Sequence, residues 1–290
     1  MSYLWGLLGI VCILGIAYLF SNNKRKINVR TVLVALAIQI SFAFIVLKWP
    51  LGRAALQKVT DAVNQVIGYA NEGINFLVGG LYTPESGITS VFAFNVLMII
   101  IFFSALISVL YYLGIMQLII KYVGGGLAKL LGTKKAESFS ATANIFVGCT
   151  EAPLVIKPYI DKLTNSELFS VMVCGLASVS GTVLFGYSMM GVPLEYLLAA
   201  SIMSAPAGLL LAKIMIPETE ESQEDAEGFE MAKDEESSNV IDAAANGAST
   251  GLQLALNVGA MLLAFIALIA LVNGILGAVG GWFGFEQLSI

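Results

Sequence analysis

The chain has 290 residues and a net charge of −5, with 58% hydrophobic and only 12% charged residues and a mean hydropathy of +0.85. A soluble domain carries about twice that charge fraction, so the composition excludes a soluble globular protein and specifies an integral membrane one. The three cysteines (Cys12, Cys149, Cys174) form no CxxC pair and histidine is absent, which leaves neither a zinc or haem ligand set nor a disulfide framework.

A membrane-spanning helix needs roughly 20 mostly apolar residues. Tyr3–Phe20 is the first such run; its basic cluster, Lys24, Arg25, Lys26 and Arg30, follows it, so it lacks the order of a cleavable signal peptide. Thr31–Trp49 is the second, stopped by Pro50. From Leu51 to Leu81 the apolar residues Leu56, Val59, Val63, Val66, Ile67 and Ala70 recur at helical spacing with Arg53, Gln57, Lys58, Asp61 and Asn64 between them. That pattern is an amphipathic helix, lying in the membrane interface or packed on neighbouring protein.

Residues 81–90, LYTPESGITS, read as a loop. Val91 to about Tyr122 predicts one long tilted helix, after which VGGGLAKLLGTKK returns the chain to a basic surface. Leu168–Met190, Leu194–Ile216 and Leu252–Gly277 are further spans, and Glu218–Glu236 is an acidic linker without apolar periodicity. The end, GGWFGFEQLSI, reads as an interfacial turn. Seven segments follow: 1–50, two helices; 51–90, amphipathic helix and loop; 91–135, long third helix and basic loop; 136–163, a hairpin; 164–216, two helices; 217–250, acidic linker; 251–290, a sixth helix.

Lysine and arginine set the orientation. Lys24, Arg25, Lys26 and Arg30 mark one inside loop, and Lys129, Lys134 and Lys135 mark another two crossings later. The N-terminus is then outside and the acidic linker inside, provided that Ser138–Ile160 enters and leaves on the same side.

That stretch contains ANIFVGCTEAPLVIKP, which sets Asn144, Gly148, Thr150, Glu151 and two prolines in apolar surroundings, between Lys134 and Lys135 on one flank and Lys157, Asp161 and Lys162 on the other. Two half-helices meeting near Gly148 fit better than a full crossing, because broken backbone at membrane depth is tolerated only in protein or beside a cavity. Gly148 permits the turn. Pro153 suits the first turn of the second half-helix. Glu151 at that N-terminus can stay ionised and accept hydrogen bonds from a neutral, N–H-rich or polyhydroxylated ligand; otherwise it is paired with a lysine at a structural kink. Asn144 and exposed carbonyls suit a small hard cation. A second interruption, Gly175, Ser178, Ser180, Gly181 and Thr182, is either a close-packing surface or a locally unwound helix.

At these residues the sequence resembles the concentrative nucleoside transporter family. ANIFVGCTEAPLVIKPYI is similar to that family's first re-entrant hairpin, which usually reads Gly-Gln-Thr-Glu-Ala-Pro; GLASVSGTVLFGY is similar to its fourth transmembrane helix, and ANEGINFLVGGL to the segment before its third. The resemblance implies an all-α polytopic integral membrane protein with a re-entrant helical hairpin and an interfacial amphipathic helix. It implies a homotrimer in the cytoplasmic (inner) membrane, not an enzyme, importing a uridine-like nucleoside with sodium, with no other cofactor and no nucleic-acid partner. Proton coupling, or a non-transporting gate or assembly protein on a similar core, are the alternatives.

The family's nucleobase contacts fall on Gly148, Cys149, Thr150, Glu151 and Val183, and its sodium ligands on Asn144, Val147, Ser178 and Val179. Cys149 stands where glutamine is usual, and a thiol is a poor hydrogen-bonding group, so base recognition is expected to be weaker or altered. The family's second hairpin and last two helices have no counterpart before Ile290, so the chain reads as the first part of a longer transporter.

Overall fold

The computed structural model describes residues 2–81, 91–149, 152–220 and 237–282. The expected loop at 82–90, most of the acidic linker, the terminal turn and the pair Thr150 and Glu151 lie outside the described residues. Regular structure among the described residues is helical throughout, and five helices are long and apolar enough to cross a membrane, with a shorter apolar one over Leu8–Leu19.

Helices α1 (Ser2–Leu19) and α2 (Val29–Leu47) are the first two expected spans. Asn28 caps α2 by accepting from the Arg30 and Thr31 amides. Pro50 then opens α3 (Pro50–Val78) at its first turn, where its missing N–H costs nothing. The amphipathic reading of α3 holds in its second half, where Ile67, Ala70 and Ile74 bury against Ile99, Phe103, Leu184 and Phe185; Gln57, Lys58, Asp61 and Asn64 are exposed, and so is Val59, which the spacing places on the apolar stripe.

The third helix departs from expectation. A π turn at Ala93–Leu97 leads into α4 (Met98–Tyr112), and the chain then breaks at Gly114, whose φ is 78°. Gln117 donates across this break to the Tyr111 carbonyl. The expected long helix and basic return loop are therefore two helices, the second being α5 (Ile115–Leu131). Its Gly-Gly-Gly run stays helical because Gly124 lies against α6 (Lys135–Ala143): a Cβ there would stand 2.8 Å from the Phe139 ring.

After α6 and a turn, Ala152–Lys162 returns as a 3₁₀ segment rather than an α-helix, with Pro158 inside it. Ala136, Phe139 and Ala143 pack with Ala152, Val155 and Ile156, so the two arms form a hairpin. The fourth span is split into α7 (Asn165–Leu176) and α8 (Gly181–Met189), with 177–180 unwound, and Gly175 and Gly181 beside the break also pack closely, so both expected alternatives are present. Helix α9 (Leu194–Met215) follows.

The last helix, α10 (Val240–Trp282), starts well before the expected Leu252, so the linker expected to reach residue 250 ends earlier. Its first turns are small rather than apolar and escape a hydropathy reading. Gly247 lies on Ala105 and Ser108 of α4, and Gly251 on Ile101 and Ser104, so two backbones meet through small residues four apart.

Besides the hairpin cluster, two further clusters of buried apolar side chains hold the described residues together. Ala35, Leu131, Ala141, Cys174, Leu209 and Ile214 join α2, α5, α6, α7 and α9. Phe103 and Phe185 stack at 3.5 Å between α4 and α8, beside α3. At one end of the bundle the Asn22 amide reaches the Met215 carbonyl and the Thr31 hydroxyl reaches the Leu131 carbonyl at 2.9 Å. The basic α1–α2 loop, the end of α5 and the end of α9 thus share one side, as the charge pattern requires.

Candidate substrate and cation site

The site grows from two places where the chain stops being helical inside apolar surroundings. Helix α6 ends at Asn144, and residues 144–149 form the hairpin turn; α7 ends at Leu176, and 177–180 are unwound. Each break leaves backbone groups that the helix no longer pairs. The two breaks lie against one another. Gly181 sits on the Phe146 backbone, with its missing Cβ directed at the Phe146 carbonyl, and Gly175 faces Cys149, where a Cβ would stand 3.2 Å from that of Cys149.

Asn144, only 2% exposed, joins the breaks. Its amide nitrogen donates to the Cys174 carbonyl at 2.6 Å and to the Ser178 hydroxyl. Ser201 of α9, equally buried, does the same from the other side: its hydroxyl donates to the Ile145 carbonyl at 3.2 Å and the Val179 carbonyl at 3.4 Å. Ser201 was not singled out in the sequence; a serine inside an apolar helix carries no signal of the two distant carbonyls it serves. Ser180 and Thr182 pair their hydroxyls at 2.7 Å just below.

Of the expected sodium ligands, Asn144, Val147, Ser178 and Val179 all lie on the two facing breaks. Val147 is buried, Ser178 half-buried, and Val179 at the edge of exposure. Their donors are an amide, two peptide carbonyls and a hydroxyl, an all-oxygen set without formal charge. Such a set suits a hard monovalent cation better than a divalent one, which is usually met by carboxylates. Among the described residues no group of three or more His, Cys, Asp or Glu that could hold a metal ion is found.

Of the expected nucleobase contacts, Gly148 is half-buried in the turn and Cys149 is exposed beside it. Val183 is half-buried in the first turn of α8, two residues after Gly181. Thr150 and Glu151 lie outside the described residues.

Five helices able to span a membrane define a multi-pass membrane protein, and within its bundle two helix breaks face one another. The comparisons with known proteins narrow this. Residues 8–81 match the family model described as the Na+ dependent nucleoside transporter N-terminus, residues 196–290 its C-terminus, and residues 93–194 the model described as Gate, nucleoside recognition. The chain is 58% identical over its whole length to the uncharacterized transporter YutK of Bacillus subtilis, covering 71% of that protein, and 53% identical to the nucleoside permease NupC of Helicobacter pylori, covering 69%. It superposes on CNTnw in an inward-facing substrate-bound state with a TM-score of 0.92 at 54% identity, over all of this chain and 69% of the other.

The chain belongs to the concentrative nucleoside transporter family. It is a multi-pass protein of the cytoplasmic membrane, and its relatives are transporters and permeases rather than enzymes.

Proposed function

We propose that the chain carries the cation site and the first half of the nucleobase site of a sodium-coupled symporter that imports nucleosides and works as a homotrimer. The observation that carries this reading is the meeting of two helix breaks at Asn144 and Ser201. The matched family descriptions, which name sodium dependence and nucleosides, support it.

In this reading the Asn144 amide nitrogen occupies one acceptor, the Ser178 hydroxyl, that a cation takes when it binds. Sodium displaces the nitrogen, and the side chain turns its oxygen toward the ion; amide nitrogen and oxygen differ only by that half-turn. The Val147 carbonyl, the Ser178 hydroxyl and the Val179 carbonyl complete the shell. The ion would then order residues 144–149 as one turn, from which Gly148 and Cys149 meet the base, with Thr150 and Glu151 as the further base contacts that the family resemblance implies. A ligand that orders the turn first lowers what the second ligand must spend on ordering it, which is positive coupling between ion and nucleoside.

Titration calorimetry of the purified chain with uridine, in sodium chloride and again in choline chloride, tests the proposal. Binding in sodium alone is the expected result. Equal binding in both salts refutes sodium coupling, and uptake that follows a pH gradient in choline would then identify the proton as the coupling ion.

A further inference from the structure

We propose that Lys213 is a positioning residue for the cation site: it pins the first turn of α6 so that Asn144, two turns further along the same face, is aimed at the break in the next helix. The inference rests on the reading of Asn144 as a cation ligand.

Lys213 lies in the last turn of α9 and is only 8% exposed. Its ammonium stands 2.9 Å from Glu137 Oε2, donates to the Ser166 hydroxyl at 3.0 Å and to Glu218 Oε2 at 3.3 Å. A buried lysine keeps its charge only where oxygens replace water, and here three do. Glu137 is fully buried: Oε1 accepts the Lys134 amide at 2.9 Å, capping α6, while Oε2 is held by the ion pair with the ammonium alone and makes no hydrogen bond of its own among the described residues. Ser166 passes its own proton to the Ile216 carbonyl at 2.6 Å, and Thr164, the N-cap of α7, donates to Glu218 at 2.9 Å. One ammonium therefore ties together the start of α6, the start of α7 and the end of α9.

The consequence for the site follows from helix geometry. Helix α6 has nine residues, too few to hold its own position without tertiary contacts. Apart from Phe139, its interior is small: Ser138, Ser140, Ala141, Thr142 and Ala143. Little apolar bulk resists rotation about the helix axis. Glu137 and Asn144 stand at i and i+7 on one stripe, so both polar pins act on the same face, one at each end. With the Glu137 pin released, Asn144 must serve as an anchor of that face and as ion ligand together.

The test follows the melting temperature of the purified chain as sodium replaces choline at constant ionic strength, because a ligand that binds only the folded state raises it in proportion to occupancy. The readout needs no nucleoside. Lys213→Met is expected to raise the sodium concentration of half-maximal stabilisation about tenfold, the lower end of what losing an outer-shell partner costs a metal site. Lys213→Arg is expected to restore the parental value. Lys58→Met, at an exposed lysine of α3 outside the cluster, is expected to leave it unchanged.

Should Lys213→Met fail to fold, Glu137→Gln, which keeps its size and its bond to the Lys134 amide, is expected to give the same rightward shift. A folded Lys213→Met or Glu137→Gln with the parental sodium midpoint overturns the proposal, as does a Lys58→Met shift as large as theirs. Asn144→Ala separates the two readings. If it abolishes the sodium response while Lys213→Met keeps the parental midpoint, the pin is wrong and the cation site stands. A parent chain that sodium does not stabilise removes the cation reading and this proposal with it.

Discussion

Gly181 and Phe146 occupy one space: the carbonyl of Phe146 lies where a side chain on Gly181 would begin. The close approach of the two helix breaks depends on that missing Cβ. Gly181→Ala is expected to push the hairpin turn away from α8 and to destabilise the protein by about 1–3 kcal/mol, the usual cost of overpacking. Sodium-dependent uridine binding is expected to be lost with it. Gly126→Ala, where nothing lies within 4 Å of the added methyl, is the matched control and is expected to be neutral or better. Calorimetry and thermal melting on both variants check the pair.

Asn144→Ala removes the side chain that joins the breaks and the proposed ion ligand. It is expected to abolish the difference between sodium and choline in uridine binding. Retention of the full sodium response by this variant would contradict the assignment.

Ser201→Ala takes away one hydroxyl shared by two carbonyls. The expected loss is about 1 kcal/mol, which converts to roughly fivefold weaker sodium stabilisation. Melting in a sodium series measures it. A change in uridine affinity at saturating sodium, with the sodium midpoint unmoved, would place Ser201 with the nucleoside instead.

Cys149→Gln replaces a weak hydrogen-bonding thiol with an amide that can both donate and accept. Uridine affinity is expected to rise by roughly three- to tenfold, the yield of one added hydrogen bond. Cys149 is exposed in the turn, so a maleimide is expected to label it in the parent and uridine to slow that labelling. Labelling at one rate with and without uridine would move Cys149 away from the base.

Much of this was legible in the chain because hydropathy and turn chemistry are local. The spans, Pro50 as the stop of the second helix, the hairpin around Gly148 and the run of small residues before Gly181 all announce themselves within a dozen positions. The break at Gly114 did not, since a single glycine in SVLYYLGIMQ reads as tolerated inside a helix until its left-handed φ is seen. The early start of α10 was hidden because AAANGASTG earns its place by close backbone contact with α4, not by apolar area. Ser201, Glu137 and Lys213 were silent for another reason. Each matters through partners on other helices, and in sequence Lys213 is merely a basic residue in a last turn, where the helix dipole alone would explain it.

Gly114 carries one more consequence. It stands between α4, which is interlocked with α10, and α5, which is packed on the hairpin and α2. A residue with a Cβ would lose about 1–2 kcal/mol in that left-handed conformation, whereas glycine holds it without strain. Glycine therefore lets the chain pass from α4 into α5 through a sharp turn, which the Gln117 side chain closes on the Tyr111 carbonyl, and Ile107 and Tyr111 of α4 stay packed against the hairpin that α5 supports.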